Sequence, residues 1–164
     1  MDCNFIIAMN EKKNVMKYSE EVSERLNELL EKNYDAEKGY KFAAEHIENE
    51  KLKAFFTERA KERYDFGHEL KAEIRNFGEN PEKGTSLAGD VHRTWMNLKT
   101  ALAGNKEEAV LEEAIRGEEI AVEEYEKILK DTNIPPSTQN VLLKQKNVIV
   151  ASLNEVKSLE LQYD

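Results

Sequence analysis

Little in this chain could turn it sharply, cross-link it or carry it through a bilayer. Its one cysteine, Cys3, excludes an intramolecular disulfide and a thiolate-rich zinc site, and fits a reducing cytoplasm. Seven glycines and three prolines in 164 residues, with 35% charged residues, favour long helices over a sheet protein. No strand signal is longer than a few residues, and no apolar run approaches the roughly 20 residues of a membrane span. Positive charge is scarce: a net charge of −9 argues against nucleic acid or an anionic membrane as the main partner. Also missing are a nucleophile motif, a phosphate-binding glycine loop and a basic patch. Serine, histidine and aspartate occur without any spacing that brings them together.

The remainder suffices for one domain with a sizeable core and hardly for two. At the N-terminus "CNFIIAM" is apolar but short, and no basic residue precedes it, which argues against a secretory signal. Met16 opens "MKYSEEVSERL", which reads as a natural start. Residues 1–18 are therefore an N-terminal extension that need not be ordered, and 19–164 the folded domain.

Four long helices and a helical crossover follow. The first begins after Ser19, an N-cap with Glu20 and Glu21 in the first turn, and runs to about Ile47. Its inward stripe is Val22, Leu26, Leu29, Asn33, Ala36, Tyr40, Ala43 and Ile47. The second follows Asn49, carries Leu52, Phe55, Phe56, Phe66, Leu70, Ile74 and Phe77, and ends at Gly78. A shorter amphipathic segment with Val91, Trp95, Leu98 and Leu102 ends at Gly104. Asn105, with Glu108 in capping-box position, is expected to cap the third long helix, which runs to about Lys130. Pro135 and Pro136 suit the first turn of the last helix, whose stripe is Leu142, Gln145, Ile149, Ser152, Val156 and Leu159. Two helices, a crossover and two more helices make an all-α four-helix-bundle plan, with the crossover letting the second and third long helices run parallel.

Each long helix interrupts its apolar stripe near its middle. Asn33 stands in the first; Arg59, Glu62 and Arg63 in the second; Glu118 in the third; Gln145 in the fourth. A carboxylate such as Glu118 on a buried face is costly unless something pairs with it. The first and third helices also echo one another, Asn33 preceding Tyr40 as Glu118 precedes Tyr125, seven residues apart.

"NYDAEKGYKFAAEH", "SLAGDVHRTWMNLKTAL" and "EEAIRGEEIAVEEYEKIL" resemble one bacterial family of the ferritin-like superfamily, called domain of unknown function 2383. The similarity runs from about residue 22 to 160, and its most specific part is the segment with His92, Arg93 and Trp95. The resemblance implies a ferritin-like bundle and no established activity.

A di-iron centre of that superfamily takes a glutamate from each of two helices and a Glu-x-x-His pair from each of the others. Carried onto this chain, Glu118 matches one glutamate, and Asn33, a poor bridging ligand, stands at its counterpart. Glu62 is followed at the right spacing by Asp65 instead of histidine, and Gln145 by Val148, which cannot ligate. Asp65-x-x-His68 has ligand spacing one register further along, though His68 falls at the surface or boundary. Glu45 and His46 read as a solvated helix end, and His92 as packing or capping.

The preferred reading is a degenerate site, its metal replaced by a buried layer of Asn33, Arg59, Glu62, Arg63, Glu118 and Gln145. In it Arg63 or Arg59 pairs with Glu118, and the hydroxyls of Tyr40 and Tyr125 join. Gly39, Gly67 and Gly117 would permit close helix approach. The protein is then non-catalytic, without a cofactor, acting through its surface in a bacterial stress or storage setting. The alternative is a metal-binding protein or weak oxidase holding iron or another divalent metal with Glu62, Asp65, His68 and Glu118. A homodimer through the face around Trp95 is a further expectation.

Overall fold

From its second residue onward the chain meets no proline or glycine before Gly39, and it forms one helix across that whole stretch. The computed structural model describes residues 2–81, 89–131 and 133–163, with the side chains of Met16 and residues 89–94 excepted. Among the described residues there are five α-helices and no strand: α1 (Cys3–His46), α2 (Glu50–Asn76), α3 (Gly89–Ala103), α4 (Glu107–Leu129) and α5 (Pro136–Tyr163). The start of α1 differs from the expected one. Asp2 caps the helix, its carboxylate accepting from Asn4 N at 3.3 Å, so Ser19 lies inside the helix instead of at its end. The segment 4–15 is thus helical, with every side chain exposed.

The other ends follow their local chemistry. The Asn49 side chain accepts from the backbone N–H groups of Lys51 and Leu52, at 3.0 and 3.2 Å, and so starts α2. α2 closes with Gly78 at φ 77, its N–H on the Arg75 carbonyl and that of Glu79 on the Ile74 carbonyl. Asn105 does not cap α4. It sits at φ 51 and closes α3 in the same manner, its N–H reaching the Leu102 carbonyl at 3.1 Å while that of Lys106 reaches Ala101 at 3.2 Å. Lys106 is the N-cap residue of α4, with no side-chain cap bond. A left-handed turn after Gly104 satisfies α3's last carbonyls, and asparagine tolerates that turn better than most residues. Pro135 offers the first accepting carbonyl of α5, to Gln139 N at 2.9 Å, and Pro136 takes the first helical position.

α1 packs chiefly along α2 and α4 chiefly along α5, and contacts between α1 and α4 and between α2 and α5 join the two pairs. Side-chain pairs fix the directions. Glu73 meets Thr138 and Asn49 meets Tyr163, so α2 and α5 are antiparallel. Lys32 meets Glu124, and Tyr40 meets Glu118, so α1 and α4 are antiparallel too. α2 and α4 therefore run the same way, and α3 lies in the connection between them, against α4 and α1.

The apolar interior falls into two clusters. One gathers Tyr40, Ile47, Leu52, Phe55, Phe56, Leu111, Val156 and Leu159; the other gathers Leu26, Leu29, Leu30, Phe66, Leu70, Ile74, Tyr125, Leu142 and Ile149. Each buried Leu, Ile or Phe contributes about 1.5–3 kcal/mol. Between the two clusters lie Asn33, Arg63, Glu118 and Gln145, all buried. No helix of the described residues is long and apolar enough to cross a membrane.

Candidate functional site: a buried hydrogen-bond chain beside a groove

Helical spacing carries Asn33 and Tyr40 of α1, Arg63 of α2, Glu118 and Tyr125 of α4, and Gln145 of α5 to one level of the interior. There they form a single chain of hydrogen bonds. Glu118, 2% exposed, accepts at Oε1 from Arg63 Nη2 at 2.7 Å and from the Tyr40 hydroxyl. Arg63, 5% exposed, also donates through Nη1 to Asn33 Oδ1 at 2.9 Å. Asn33 Nδ2 donates to the Leu29 carbonyl at 2.8 Å and to Tyr125 Oη at 3.0 Å. The Tyr125 hydroxyl donates to Gln145 Oε1 at 2.7 Å, and Gln145 Nε2 ends the chain on the Phe66 carbonyl at 3.3 Å. The donors diverge from Arg63, toward the Glu118 carboxylate on one side and through Asn33, Tyr125 and Gln145 to a backbone carbonyl on the other.

This arrangement sets the charges. Burial works against the Arg63 guanidinium, but Glu118 together with Tyr40 and Tyr125 outweighs it, and the pKa of Arg63 is raised. Burial, and after it the Glu118 carboxylate, hold the Tyr40 hydroxyl well above the ordinary tyrosine value. Burial also pushes Tyr125 up to about 12. Both hydroxyls therefore stay protonated as donors. The guanidinium lies over the Phe66 ring at 6.0 Å, which adds a weaker attraction.

Four of the six expected layer residues are brought together: Asn33, Arg63, Glu118 and Gln145. Arg59 is buried but belongs elsewhere. It pairs with Glu62 at 3.1 Å, Glu155 at 3.1 Å and Glu58 at 3.3 Å, and covers the Phe55 ring at 5.0 Å. Glu62 is 27% exposed at its side chain and meets Arg59, not Glu118. Burial raises its pKa, against the lowering effect of Arg59. Ser152, one heptad beyond Gln145, is buried without joining the chain.

The expected metal ligands do not converge. Asp65 and His68 are exposed, with His68 edge-on to Tyr64 at 4.5 Å, while Glu118 is turned inward onto Arg63. Among the described residues, three carboxylates gather elsewhere: Glu108, Glu112 and Glu160 have oxygen atoms within 4.8 Å of one another. His46 is exposed and stacks on Phe42 at 4.0 Å, with Nδ1 2.8 Å from the Phe42 carbonyl. The side chains of His92 and Arg93 lie outside the described residues. Trp95 is half-buried and packs edge-on against Phe42 of α1 at 5.4 Å.

A cavity of about 810 Å³ opens beside this chain, between α1 and α4 and under α3. Its floor includes Asn33, Tyr40, Arg63 and Glu118; Trp95 and Leu98 of α3 overlook it. One wall carries Ala36, Gly39 and Ala43, and the other Ala114, Gly117 and Ala121, at the same spacing. The glycines were expected to let helices approach closely, and two of them do the opposite. A methyl group built at Gly39 or Gly117 meets nothing within 4 Å, so these residues border open space. At Gly67 the same methyl would meet Leu30 and Tyr34 at 3.6 Å, ordinary contact. The groove was missed from sequence, although the paired small-residue spacing in two helices was its available signal.

The family whose description is Domain of unknown function (DUF2383) matches residues 21–131, from the body of α1 through α4, so the span stops short of the residue 160 expected from motifs. No curated protein matches the chain.

Proposed function

The chain belongs to the DUF2383 family, and from that premise we propose a non-catalytic bundle of ferritin-like plan, its interior held by a charge network in place of a metal centre. The observation that carries this reading is the Arg63–Glu118 pair at 2.7 Å. A permanent guanidinium charge already sits on Oε1 of Glu118. Two like charges cannot share that carboxylate oxygen in a low-dielectric interior without a penalty of several kcal/mol. The alternating directions of α1, α2, α5 and α4, with α3 in the link between the two parallel helices, support the two-plus-two plan. The polar level ties the four long helices together across the interior, and the protein acts through its surface and its groove. A cytoplasmic setting belongs to the same proposal and rests on the lone Cys3.

Iron titration of the purified protein, followed by elemental analysis, tests this. Substoichiometric iron is expected, unchanged by Glu118→Ala. Stoichiometric iron that vanishes in Glu118→Ala would overturn the proposal and install a metal-binding protein or weak oxidase in its place.

A further inference from the structure

α1 extends well past its neighbours, at 44 residues against 27 for α2 and 28 for α5. Its first turns expose Phe5 (59%), Ile6 (44%), Ile7 (54%) and Met9 (46%). So dense an apolar patch on a projecting helix marks a contact surface. Phe5, Ile6 and Met9 share one helical face, and Lys12 and Lys13 follow on that face a turn later. Lys12, Lys13 and Lys17 enter no ion pair among the described residues.

The α1–α4 groove offers the complement. Its walls are apolar and small, and its rim carries Glu28 and Glu31, which also enter no ion pair among the described residues. The rim's basic residues are already engaged, Lys32 by Glu124 at 2.6 Å and Arg116 by Glu113 at 2.5 Å. Within one chain the tip cannot reach this groove. More than thirty helical residues separate Phe5 from Gly39, about 50 Å along a continuous helix. The occupant must come from another molecule.

We propose that the tip of α1 from one copy of this chain docks in the α1–α4 groove of a second copy, antiparallel to the receiving α1. In that orientation Phe5, Ile6 and Met9 come level with Ala36 and Gly39, while Lys13 and Lys17 fall beside Glu31 and Glu28. A parallel arrangement would carry the lysines away from both glutamates. Gly39 and Gly117 keep the slot wide enough for the incoming side chains. This inference stands apart from the metal question and survives either answer to it.

The chain's single cysteine and single tryptophan make the test direct, since Cys3 is exposed at the tip and Trp95 overlooks the groove. A Trp95→Phe chain carrying a fluorescence quencher on Cys3 is mixed with a Cys3→Ser chain that keeps its tryptophan. Quenching should rise with concentration and fall with salt. It should be lost when the labelled chain carries Phe5→Glu with Met9→Glu, or when the receiving chain carries Gly117→Leu. Glu28→Lys with Glu31→Lys in the receiving chain should weaken it at least fivefold, and Lys13→Glu with Lys17→Glu in the labelled chain should restore it. That swap guards against a groove variant that merely unfolds. Absence of quenching at every concentration, or quenching indifferent to the groove and charge variants, would overturn the proposal. So would capture of the tip by anionic phosphatidylserine vesicles without quenching between copies, which would assign it to a membrane surface.

Discussion

Replacing Arg63 by alanine removes the only cation paired with Glu118 among the described residues and should be among the most damaging single changes available. In the variant the carboxylate stays at a site 2% exposed and keeps the Tyr40 hydroxyl as a donor, and Asn33 loses the donor to its Oδ1. Breaking a buried pair from one side costs about 3–5 kcal/mol, because the surviving charge is stranded away from water. For a domain of this length that corresponds to a fall of roughly 10 °C in Tm. Arg59→Ala is the control. That arginine is as buried, but its partners Glu58 and Glu155 are exposed and Glu62 is partly so, and all three keep access to water when it goes, so the loss should be about 1 kcal/mol, mostly from contact with Phe55. The double variant Arg63→Met with Glu118→Leu removes both charges and should recover most of the loss. Urea unfolding followed by circular dichroism and by Trp95 fluorescence measures all four proteins. Arg63→Ala within about 1 kcal/mol of the parent, or a double variant no more stable than Arg63→Ala, would refute the reasoning.

Two further outcomes follow from local geometry. Tyr40 and Tyr125 hold their protons more tightly in the folded protein than in the unfolded chain, where tyrosines titrate near 10.0. Their contribution to stability is thus complete below pH 10 and lost as the pH rises toward about 12, where folded Tyr125 itself ionises. Melting curves should show this alkaline decline, and Tyr40→Phe with Tyr125→Phe should flatten it. Asn105→Gly should stabilise by about 0.5–1 kcal/mol, since glycine adopts the left-handed turn at φ 51 more readily than asparagine. A lower Tm would show that the Asn105 side chain contributes something its backbone position does not explain.

Helical periodicity made the helices, their inner faces and most of their ends legible, because a stripe of Leu, Phe and Ile at steps of three and four admits one burial pattern. The interrupted stripes likewise exposed Asn33, Arg63, Glu118 and Gln145 as residues sharing one level. Sequence could not say which of two arginines a turn apart would face inward, since Arg59 and Arg63 both lie on the same stripe. Tertiary context decides that: Glu155 of α5 waits beside Arg59, and Asn33 of α1 beside Arg63. The start of α1 was misplaced because Ser19 followed by two glutamates imitates a helix N-terminus that continuous hydrogen bonding overrides. Asn105 was misjudged for a similar reason, as asparagine serves both the start of one helix and the end of another. A groove depends on what two helices leave unfilled, and no single-helix pattern reports that.

The turn-apart arginines have a consequence for folding. Sliding α2 by one turn, about 6 Å, would bring Arg59 to the height now held by Arg63, so a near-native decoy exists that keeps a buried guanidinium opposite Glu118. What separates the two is the apolar packing, since the slide would carry Glu62 and Arg63 to the heights of the buried Phe66 and Gly67, together with contacts at the helix ends. Asn49 is tied to Tyr163 at 2.8 Å and Glu73 to Thr138 at 2.9 Å, and a slid α2 would forfeit both ties at once. The ion pair in the middle therefore closes the structure without by itself choosing its alignment, and that choice belongs to the apolar face of α2 and to two modest polar contacts at its opposite ends.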